Sequence, residues 1–483
     1  MTTNIDMTSS NFRKTGYQFI DWINDYLTNL ENYPVLPNIQ PGDIKSSLPS
    51  SAPENSEDFD KIFADLNNVI MPGVTHWNHP KFMAYFNSTS SSAGIFAELL
   101  SGAFNTNGMV WKSNPASTEL EEVTLDWLRQ MIGLPKEFWG IIYDLASSST
   151  MHAIIAAREN IEGYSIREKG FGGLKDMPRL RLYASEQAHS SVDKGAILAG
   201  IGLEGIRKIH VDEKFRMIPS ELEKAIKEDR ENGWLPFCVV ATVGTTSTTS
   251  IDPVSEIAEI TQMENLWLHV DAAHAGIAAI VPEIQNILDG SEHADSIVVN
   301  PHKWMFMPID ISVLFTKRKD ILKRVFSLVP EYLKTDEDTE ATNFMDYGIQ
   351  LGRRFRSLKL WFVIRYFGRE GLIEIIREHL RLAHELKSKI DKNPNFERLA
   401  PVPLSTICFR AINPELSDVE SLNKFNKELM DRLNNTGEVF LSNTVLDGKF
   451  TIRIVISGLR TEEKHVNEVW QLIKSEYDKI ISE

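Results

Sequence analysis

The feature that most constrains the fold is a series of short, almost uninterrupted apolar segments separated by helical intervals. The apolar segments cover residues 180–184, 206–211, 237–243, 266–270, 296–299 and 311–316. Helical spacing of apolar residues recurs between them, for example over residues 219–229 and 253–263. Strands that are apolar on both faces and alternate with helices form mostly parallel sheets covered on both sides. The sequence therefore predicts an α/β fold from about residue 85 onward.

The segment at residues 296–299 ends in Asn300-Pro301-His302-Lys303-Trp304. Because Pro301 ends the strand, Lys303 lies just past its carboxyl end, at the edge where open α/β sheets bind ligands. Burial at that edge would lower the pKa of the lysine, and a neutral amine condenses with an aldehyde. Lys303 is therefore a candidate Schiff-base amine, and a snorkelling surface lysine is the alternative.

Asp271 ends a second apolar segment, at residues 266–270, and is followed by the small residues Ala272 and Ala273. Small residues let a planar ring approach the backbone. A carboxylate at this position can pair with a protonated pyridine nitrogen, the interaction that makes pyridoxal phosphate (PLP) an electron sink. Asp271 could instead cap a helix, but its occurrence together with Lys303 weakens that alternative.

These motifs resemble the group II PLP-dependent decarboxylases, and most of all the aromatic-L-amino-acid decarboxylases. The matching stretches are Asn300-Pro301-His302-Lys303-Trp304, His269-Val270-Asp271-Ala272-Ala273 and Gln187-Ala188-His189-Ser190-Ser191, with further likeness at residues 71–77 and 351–359. The resemblance implies a fold-type I, aminotransferase-like α/β fold. It also implies PLP bound through Lys303 and decarboxylation of an aromatic L-amino acid to the arylethylamine. The amino acid could be tryptophan, DOPA, 5-hydroxytryptophan, tyrosine or phenylalanine.

The resemblance also implies a set of cofactor contacts. In the resembled enzymes the histidine that matches His189 stacks on the cofactor ring, and Thr246 matches a residue near its phenolic oxygen. Further expected contacts are Asp271, Ala273, Asn300, His302, Ala146 and Ser147. The last two begin a helical run, and backbone amides at a helix N-terminus suit a phosphate. A plain serine-rich cap is the alternative, because Asp144-Leu145 stands where the family usually has a small residue.

Tyr332 begins a polar, acidic stretch without apolar periodicity, which is typical of a loop. The resemblance implies that this tyrosine protonates the substrate-derived carbon after carbon dioxide leaves. The expected catalytic set is therefore Lys303, Asp271, His189 and Tyr332. A surface tyrosine is the alternative for Tyr332.

The resemblance places eight residues in the substrate pocket: Trp77, Tyr85, Phe86, Asn87, Ser88, Asn107, Met109 and Gly352. Asn107 and Met109 are expected from the neighbouring subunit, and Gly352 leaves room for a large ring. A buried amide must find a partner, since an unsatisfied one costs about 1–3 kcal/mol. Substrates of the tryptophan, DOPA or tyrosine type are therefore expected to be preferred over phenylalanine.

We expect three parts along the chain: a helical arm (residues 1–84), a large PLP-binding α/β domain (85–366) and a small α/β domain (367–483). Ser10 and Ser56 are predicted to cap the two amphipathic helices of the arm, which a proline-rich connector separates. In the resembled family this segment packs across a dimer partner, so a homodimer with its active site at the interface is implied. Packing of the arm on its own large domain is the alternative.

The composition of the chain argues against several classes of partner and of protein. The net charge of −16 argues against nucleic acid or an anionic membrane as a partner. Two cysteines among 483 residues exclude a disulfide framework and fit a reducing cytoplasm. The polar start of the chain lacks the apolar core of a signal peptide, and no apolar run approaches the roughly 20 residues that span a bilayer.

Two further motifs resemble a dinucleotide-binding site and a metal site, but their sequence context argues against both functions. The glycines of residues 200–205 match a dinucleotide-binding pattern, but a helix precedes them and a strand follows, the reverse of the required order. His76 and His79 lack further ligands in the sequence, so we expect no metal. A nicotinamide-dependent dehydrogenase is therefore disfavoured. A decarboxylating aldehyde synthase of the same family remains the alternative, although such enzymes characteristically alter the residues that match Tyr332 or His189.

Overall fold

The computed structural model describes residues 6–328 and 340–483, and Tyr332 lies outside them. Its α-helices are α1 (Ser9–Thr28), α2 (Asp43–Ser47), α3 (Phe59–Asp65), α4 (Ser92–Phe104), α5 (Pro115–Met131), α6 (Ala146–Glu159), α7 (Ile166–Lys169), α8 (Ser190–Leu198), α9 (Pro219–Glu231), α10 (Val254–Met263), α11 (Pro301–Trp304), α12 (Lys319–Phe326), α13 (Ser357–Asp391), α14 (Val419–Asn435) and α15 (Glu463–Ser482). Its strands are β1 (Trp139–Tyr143), β2 (Leu180–Ser185), β3 (Ile206–Ile209), β4 (Leu235–Thr242), β5 (Trp267–Asp271), β6 (Ser296–Val299), β7 (Ser312–Thr316), β8 (Phe396–Arg398), β9 (Thr406–Ala411), β10 (Ser442–Leu446) and β11 (Lys449–Val455).

The large sheet has the strand order β1-β7-β6-β5-β4-β2-β3. The pairs from β3 through β6 are parallel, and β7 runs antiparallel to both β6 and β1. The predicted mostly parallel α/β sheet is therefore confirmed. Because β1 has the same direction as β2 to β6, the carboxyl ends of six strands share one edge of the sheet.

Both faces of the large sheet are buried, as the apolar strands predicted. In β6, Ile297 and Val299 pack into the core on one face, which contains α5, α9, α10 and the first part of α13. Val298 packs into the core on the other face, which contains α6, α8 and α12. Successive residues of a strand point to opposite faces, so an uninterrupted apolar strand serves two cores.

The six predicted strands of the large sheet differ from the observed ones by two residues or fewer at their ends, but β1 was not predicted. Gly140 interrupts the apolar pattern of β1. A Cβ at that position would lie 2.9 Å from the Phe315 ring and 3.1 Å from Leu125, so close packing of β7 and α5 requires a glycine there. From the sequence alone, such a glycine suggests the end of a strand.

The glycine-rich stretch at residues 200–205 is a helix-to-strand turn, as expected. It connects α8 to β3, and Gly200 and Gly202 have φ values of +77° and +75°. The left-handed backbone explains the glycines without a nucleotide. His76 and His79 have protein partners: His76 Nδ1 lies 2.9 Å from the Tyr26 hydroxyl, and His79 Nδ1 accepts from the Lys81 amide.

The arm is helical, but both predicted caps were wrong. Thr8, rather than Ser10, caps α1 by accepting from the Asn11 amide, because Thr8 is the last residue with an extended backbone. Asp58 precedes α3, which ends at Asp65 and continues as a π-helical turn over Leu66–Ile70. In the part of the chain that the structure describes, α1 has no buried residue.

The C-terminal sheet has the order β10-β11-β9-β8 and packs against α14, α15 and the end of α13. Asp447 and Gly448 form the turn between β10 and β11, with φ values of +48° and +76°. Helix α13 changes direction at Gly368 (φ +64°). Its side chains up to Ile376 pack with the large-sheet core, and those from Leu382 onward with the small-sheet core. Among the described residues, no helix is both long and apolar enough to cross a bilayer.

Candidate active site

Five predicted site residues follow the carboxyl ends of strands at the shared edge of the sheet. Ala146 follows β1, His189 follows β2, Thr246 follows β4, Asp271 ends β5 and Lys303 follows β6. In a parallel sheet these ends converge, which is why residues far apart in the sequence meet there.

Lys303 lies in α11, a single turn that begins directly after the cap residue Asn300. The Lys303 amide donates to the Asn300 carbonyl at 3.0 Å. The next residue, Trp304, is fully buried, and its indole N–H donates to His379 Nδ1 at 3.0 Å. The backbone that carries the lysine is therefore fixed on both sides.

The surroundings of Lys303 increase the neutral fraction of its amine. Burial is the main cause that lowers its pKa to about 8, the Arg453 guanidinium lowers it further, and the Asp271 carboxylate raises it. The amine lies 5.2 Å from the centre of the Phe86 ring, which offers a cation–π contact but cannot take up a proton. A lysine in these surroundings keeps a substantial neutral fraction near pH 7.

Asp271 is buried and lies opposite Val298 in the register of β5 and β6. Its Oδ1 accepts from the Ala273 amide at 3.1 Å, so the carboxylate also folds the turn that follows. His269 lies two residues earlier on the same face, and its Nδ1 is 2.9 Å from the Ser296 hydroxyl. Burial lowers the pKa of His269 to about 4, although Asp271 raises it, so this imidazole is neutral.

His189 caps α8, and its Nδ1 accepts from the Ser191 amide at 3.0 Å. The ring proton is therefore on Nε2 when the imidazole is neutral. Burial lowers the pKa of His189, Asp271 raises it and Lys303 lowers it, so the three groups are electrostatic neighbours.

Several atoms at this edge are suited to an anion. The residue before α6, Leu145, makes no side-chain cap, and the described hydrogen bonds leave the amides of Ala146 and Ser147 unused. Asn300 is 1% exposed, and its Oδ1 has no partner among the described residues. Buried polar atoms without partners are rare in folded proteins, so a ligand at this edge would account for them.

His302, Ala273 and Thr246 complete the predicted cofactor set. His302 is buried, its Nδ1 lies 2.6 Å from the Ile311 carbonyl, and burial lowers its pKa to about 3. Ala273 is nearly buried, whereas Thr246 is exposed at the turn after β4. That turn begins at Gly244 (φ +88°), where a Cβ would lie 2.6 Å from that of Ala275.

Arg453 is a candidate functional residue that the sequence did not indicate. It lies on β11, and its Nε donates to the Ser247 carbonyl at 2.8 Å while Nη1 donates to Ser442 Oγ at 3.0 Å. Its Nη2 is buried without a partner in the described chain. The guanidinium carbon is 5.1 Å from the Phe86 ring centre. The only signal in the sequence is one arginine in an apolar strand, a position where charge is costly.

Two groups of stacked aromatic side chains lie in this part of the protein, and Phe86 of the first group faces the Lys303 amine at 5.2 Å. Phe86 stacks on His274 with ring centres 3.8 Å apart and an interplanar angle of 11°, and His274 in turn stacks on Trp304. Trp77 and Tyr85 are partly exposed and stack on each other at 5.9 Å. Flat apolar surfaces of this kind suit a planar ring.

Asn87 and Ser88 are placed differently from their neighbours. Asn87 is 1% exposed, its amide oxygen accepts from the Ser457 hydroxyl, and its nitrogen donates to the Phe82 carbonyl at 3.3 Å. Both ends of this amide are therefore engaged inside the protein. Ser88 is half-buried.

The three remaining pocket residues, Asn107, Met109 and Gly352, form a group that we call the side wall. Asn107 Oδ1 accepts from the Arg353 amide at 2.9 Å, and its nitrogen lies 3.6 Å from Met109 Sδ. A Cβ at Gly352 would lie 3.6 Å from that same nitrogen. The side wall also accepts from the Ser113 hydroxyl and the Met345 amide. Among the described residues, none of its hydrogen bonds involves Lys303.

The arrangement fits PLP. A half-buried amine at Lys303, a buried carboxylate at Asp271 and an uncapped helix N-terminus at Ala146 provide a partner for the aldehyde, the ring nitrogen and the phosphate. The unpartnered oxygen of Asn300 lies at the same edge.

Comparison with known proteins identifies the class. Residues 41–412 match the model of the pyridoxal-dependent decarboxylase conserved domain. The chain is 39% identical to tryptophan decarboxylase 2 of Oryza sativa subsp. japonica, over 98% of this chain and 96% of that protein. It is also 39% identical to phenylacetaldehyde synthase of Arabidopsis thaliana, over 97% and 96%. The crystal structure of Oryza sativa TDC with PLP and tryptamine superposes with a TM-score of 0.95 at 35% identity, over 99% of this chain and 100% of that one.

The chain belongs to the pyridoxal-dependent decarboxylase family. It is accordingly a lyase with the fold-type I architecture, and PLP is its cofactor.

Proposed function

We propose that this enzyme decarboxylates an aromatic L-amino acid and releases the arylethylamine and carbon dioxide. The observation that carries the proposal is the placement of Lys303. Its amine has a pKa of about 8 and lies between the Asp271 carboxylate, the Arg453 guanidinium and the aromatic face of Phe86. The cation and the aromatic surface beside this cofactor-binding amine match the carboxylate and the ring of an aromatic amino acid.

PLP, when bound, supplies an aldehyde for the amine and a protonated ring that accepts the electrons of the broken bond. Asp271 would hold a proton on the ring nitrogen, and His189 would pack against the ring. Ala146, Ser147 and Asn300 would hold the phosphate, while Thr246, Ala273 and His302 would line the surrounding wall. Lys303 would hold the cofactor through its amine and would take the place of the product amine.

Arg453 provides the positive charge for an anionic oxygen. Burial lowers its pKa, and Cys408 is the only group among residues 6–328 and 340–483 that raises it. A buried cation without an acidic partner is costly unless a ligand supplies the counter-charge. We propose that this ligand group is the substrate carboxylate, which is present before the reaction and absent after it.

An aromatic substrate is supported by the Phe86 ring beside the amine, and by the names of the relatives. A relative 39% identical is a tryptophan decarboxylase, and a similar structure contains tryptamine. We do not assign a substrate contact to Asn87, because its amide is already satisfied by Ser457 and Phe82.

We further propose that two copies of the chain form a homodimer in which the side wall completes the partner's pocket. A groove of about 750 Å³ lies between α1 and α4 and is lined by apolar side chains. Phe12, Leu99 and Phe104 expose 71%, 59% and 54% of their surface there or beside it. Ile349 is also 64% exposed, next to Gly352. Such exposed apolar surface marks an interface, and a second copy is the occupant that would also bring the side wall to Lys303.

The second candidate is a decarboxylating aldehyde synthase, because phenylacetaldehyde synthase is among the relatives. That reaction would consume oxygen and release the aldehyde, ammonia and hydrogen peroxide in place of the amine. We favour the decarboxylase because His189 and Tyr332 are both present in the sequence. Tyr332 is the residue that we propose to protonate carbon, and the sequence alone supports that role.

The test is to incubate purified holoenzyme with tryptophan, DOPA, tyrosine and phenylalanine and to measure amine, aldehyde and hydrogen peroxide. We expect one amine per carbon dioxide and a visible absorbance that borohydride abolishes. Stoichiometric peroxide would favour the aldehyde synthase, and turnover only with glutamate or histidine would contradict the aromatic substrate. We also propose a cytoplasmic location, supported by two buried cysteines that are both unpaired.

A further inference from the structure

His152 is a buried histidine on α6, the helix whose first residues we propose to bind the cofactor phosphate. Its Nδ1 donates to the Ser148 carbonyl at 2.7 Å, so its Nε2 carries a lone pair. That nitrogen accepts from the Ile349 amide at 3.1 Å. Burial lowers the pKa of His152 to about 4, which keeps the imidazole neutral and able to accept.

The backbone just before Ile349 packs against the stacked rings of His152 and Tyr143. The two rings stack with centres 4.1 Å apart and an angle of 16°, and the Tyr143 hydroxyl donates to the Tyr347 carbonyl. A Cβ at Gly348 would lie 2.9 Å from the Tyr143 ring and 3.0 Å from His152 Nε2. The ring pair therefore fixes the position of this stretch relative to α6 and β1.

The same stretch continues into the side wall. Three residues after Ile349 comes Gly352, and the Arg353 amide then donates to Asn107 Oδ1 at 2.9 Å. The Gly108 amide donates back to the Arg353 carbonyl at 2.9 Å. A shift of residues 347–353 would therefore move Asn107 and Gly352 together.

We propose that His152 is a positioning residue that holds residues 347–353, and with them the side wall, in place for the substrate ring bound by the partner subunit. The proposal rests on the proposed decarboxylase function and homodimer. It links the helix that binds phosphate in one subunit to substrate selection in the other.

The test compares His152→Phe, which keeps a ring against Tyr143 but cannot accept from Ile349, with His152→Gln, whose amide oxygen can accept. His384→Phe is the matched control, because its Nδ1 also lies 2.7 Å from the carbonyl four residues earlier but its ring is exposed. Loss of one hydrogen bond should raise KM of His152→Phe about fivefold, with kcat and cofactor absorbance little changed. His152→Gln should recover most of the loss, and Gly348→Ala, which pushes the backbone away, should mimic His152→Phe.

Hybrid dimers would show which subunit's active site is affected by His152→Phe. When a subunit with both Lys303→Ala and His152→Phe pairs with a wild-type subunit, the surviving site borrows the altered side wall, and KM should be raised. When a Lys303→Ala subunit pairs with a His152→Phe subunit, the surviving site borrows a normal wall, and KM should be normal. The opposite pattern, or a normal KM in both hybrids, would overturn the proposal.

Amide exchange separates this inference from the proposed function. Mass spectrometry should detect faster deuterium uptake by the peptide that covers residues 347–353 in His152→Phe than in wild-type or His384→Phe holoenzyme, whatever the substrate. Unchanged uptake in that peptide would refute the positioning role even if the decarboxylase activity is confirmed. Absence of amine production by the wild-type enzyme would instead refute the proposed function.

Discussion

The Lys303 amine lies 5.2 Å from the centre of the Phe86 ring, and Phe86 is held in place by its stack on His274. An aromatic face stabilises a cation weakly but cannot neutralise it as a carboxylate does. The lysine is therefore desolvated and has no close ion pair with a described residue, which is the condition that lowers an amine pKa. Phe86 thus contributes to the reactivity of the lysine, in addition to the ring binding that we propose for it.

Lys303→Ala should abolish amine production and the visible absorbance of the bound cofactor. No other described amine occupies this edge with a pKa lowered to about 8, so none can replace it. Lys136→Ala is the control, because this exposed lysine precedes β1 at the opposite edge of the sheet. Turnover should be assayed with saturating PLP, and near-native activity of Lys303→Ala would refute the assignment.

The rate at which PLP combines with cofactor-free protein should rise with pH through a midpoint of about 8. Only the neutral amine reacts, and its fraction increases as pH passes the pKa of Lys303. Arg453→Met should move the midpoint to higher pH, because the guanidinium lowers that pKa. Stopped-flow absorbance between pH 6 and 10 would measure both midpoints, and a midpoint near that of free lysine, about 10.4, would contradict the lowered pKa.

Asp271→Asn should have the opposite effect on the same midpoint, since the carboxylate raises the pKa of Lys303. It should also lose most turnover even at saturating PLP, because an amide cannot hold the ring nitrogen protonated. Its Oδ1 can still accept from the Ala273 amide, so the turn should survive. Circular dichroism would check the fold. Unchanged turnover would mean that Asp271 only caps the turn.

The features that the sequence predicted are local ones, and those that it missed depend on contacts between distant segments of the chain. The strand before Lys303 and the acid at Asp271 were identified because apolar runs and their last residues are local features. The fold class followed from the same runs. The short strand β1 was missed because Gly140 is explained only by contacts with Phe315 and Leu125, which come from elsewhere in the chain.

The site was less predictable where a residue acts through contacts with distant segments. Arg453 lies 150 positions after Lys303, and nothing in its own strand indicates that its guanidinium reaches Phe86. Asn87 shows the reverse case: the family resemblance suggested a pocket residue, whereas its amide turns inward to Ser457. Side-chain direction depends on tertiary packing, which a linear pattern does not encode.

Leu99→Glu should convert the protein to a monomer and abolish most activity. Leu99 is 59% exposed on α4 in the apolar groove, and a charge placed in a dry interface is not compensated. Leu203→Glu is the matched control, since Leu203 is 60% exposed outside that groove. Sedimentation velocity and amine production should be measured on the same samples. A fully active monomer would contradict the shared pocket.

The orientation of Asn107 sharpens the prediction about substrate choice. Its Oδ1 is occupied by the Arg353 amide, so the group left for a ligand is the N–H₂ donor beside Gly352. A phenol or catechol oxygen can accept from that donor, whereas an indole N–H only donates and the phenylalanine ring does neither. We therefore expect ring-hydroxylated substrates such as tyrosine, DOPA and 5-hydroxytryptophan to be preferred over phenylalanine. For tryptophan this revises the expectation from the sequence, because its indole cannot accept from this donor.

Asn107→Ile should reduce this preference for tyrosine over phenylalanine by about five- to tenfold, the scale of one hydrogen bond of about 1 kcal/mol. Because the substitution also removes the acceptor for the Arg353 amide, His152→Phe serves as a comparison that disturbs the same stretch but keeps the Asn107 amide.

The quantity to measure is the ratio of kcat/KM for tyrosine to kcat/KM for phenylalanine. If the side wall acts through the Asn107 donor, Asn107→Ile lowers that ratio and His152→Phe lowers it less. An unchanged ratio in Asn107→Ile would show that the ring hydroxyl binds elsewhere, and a wild-type preference for phenylalanine would show that the amide donor stays unpaired in the complex.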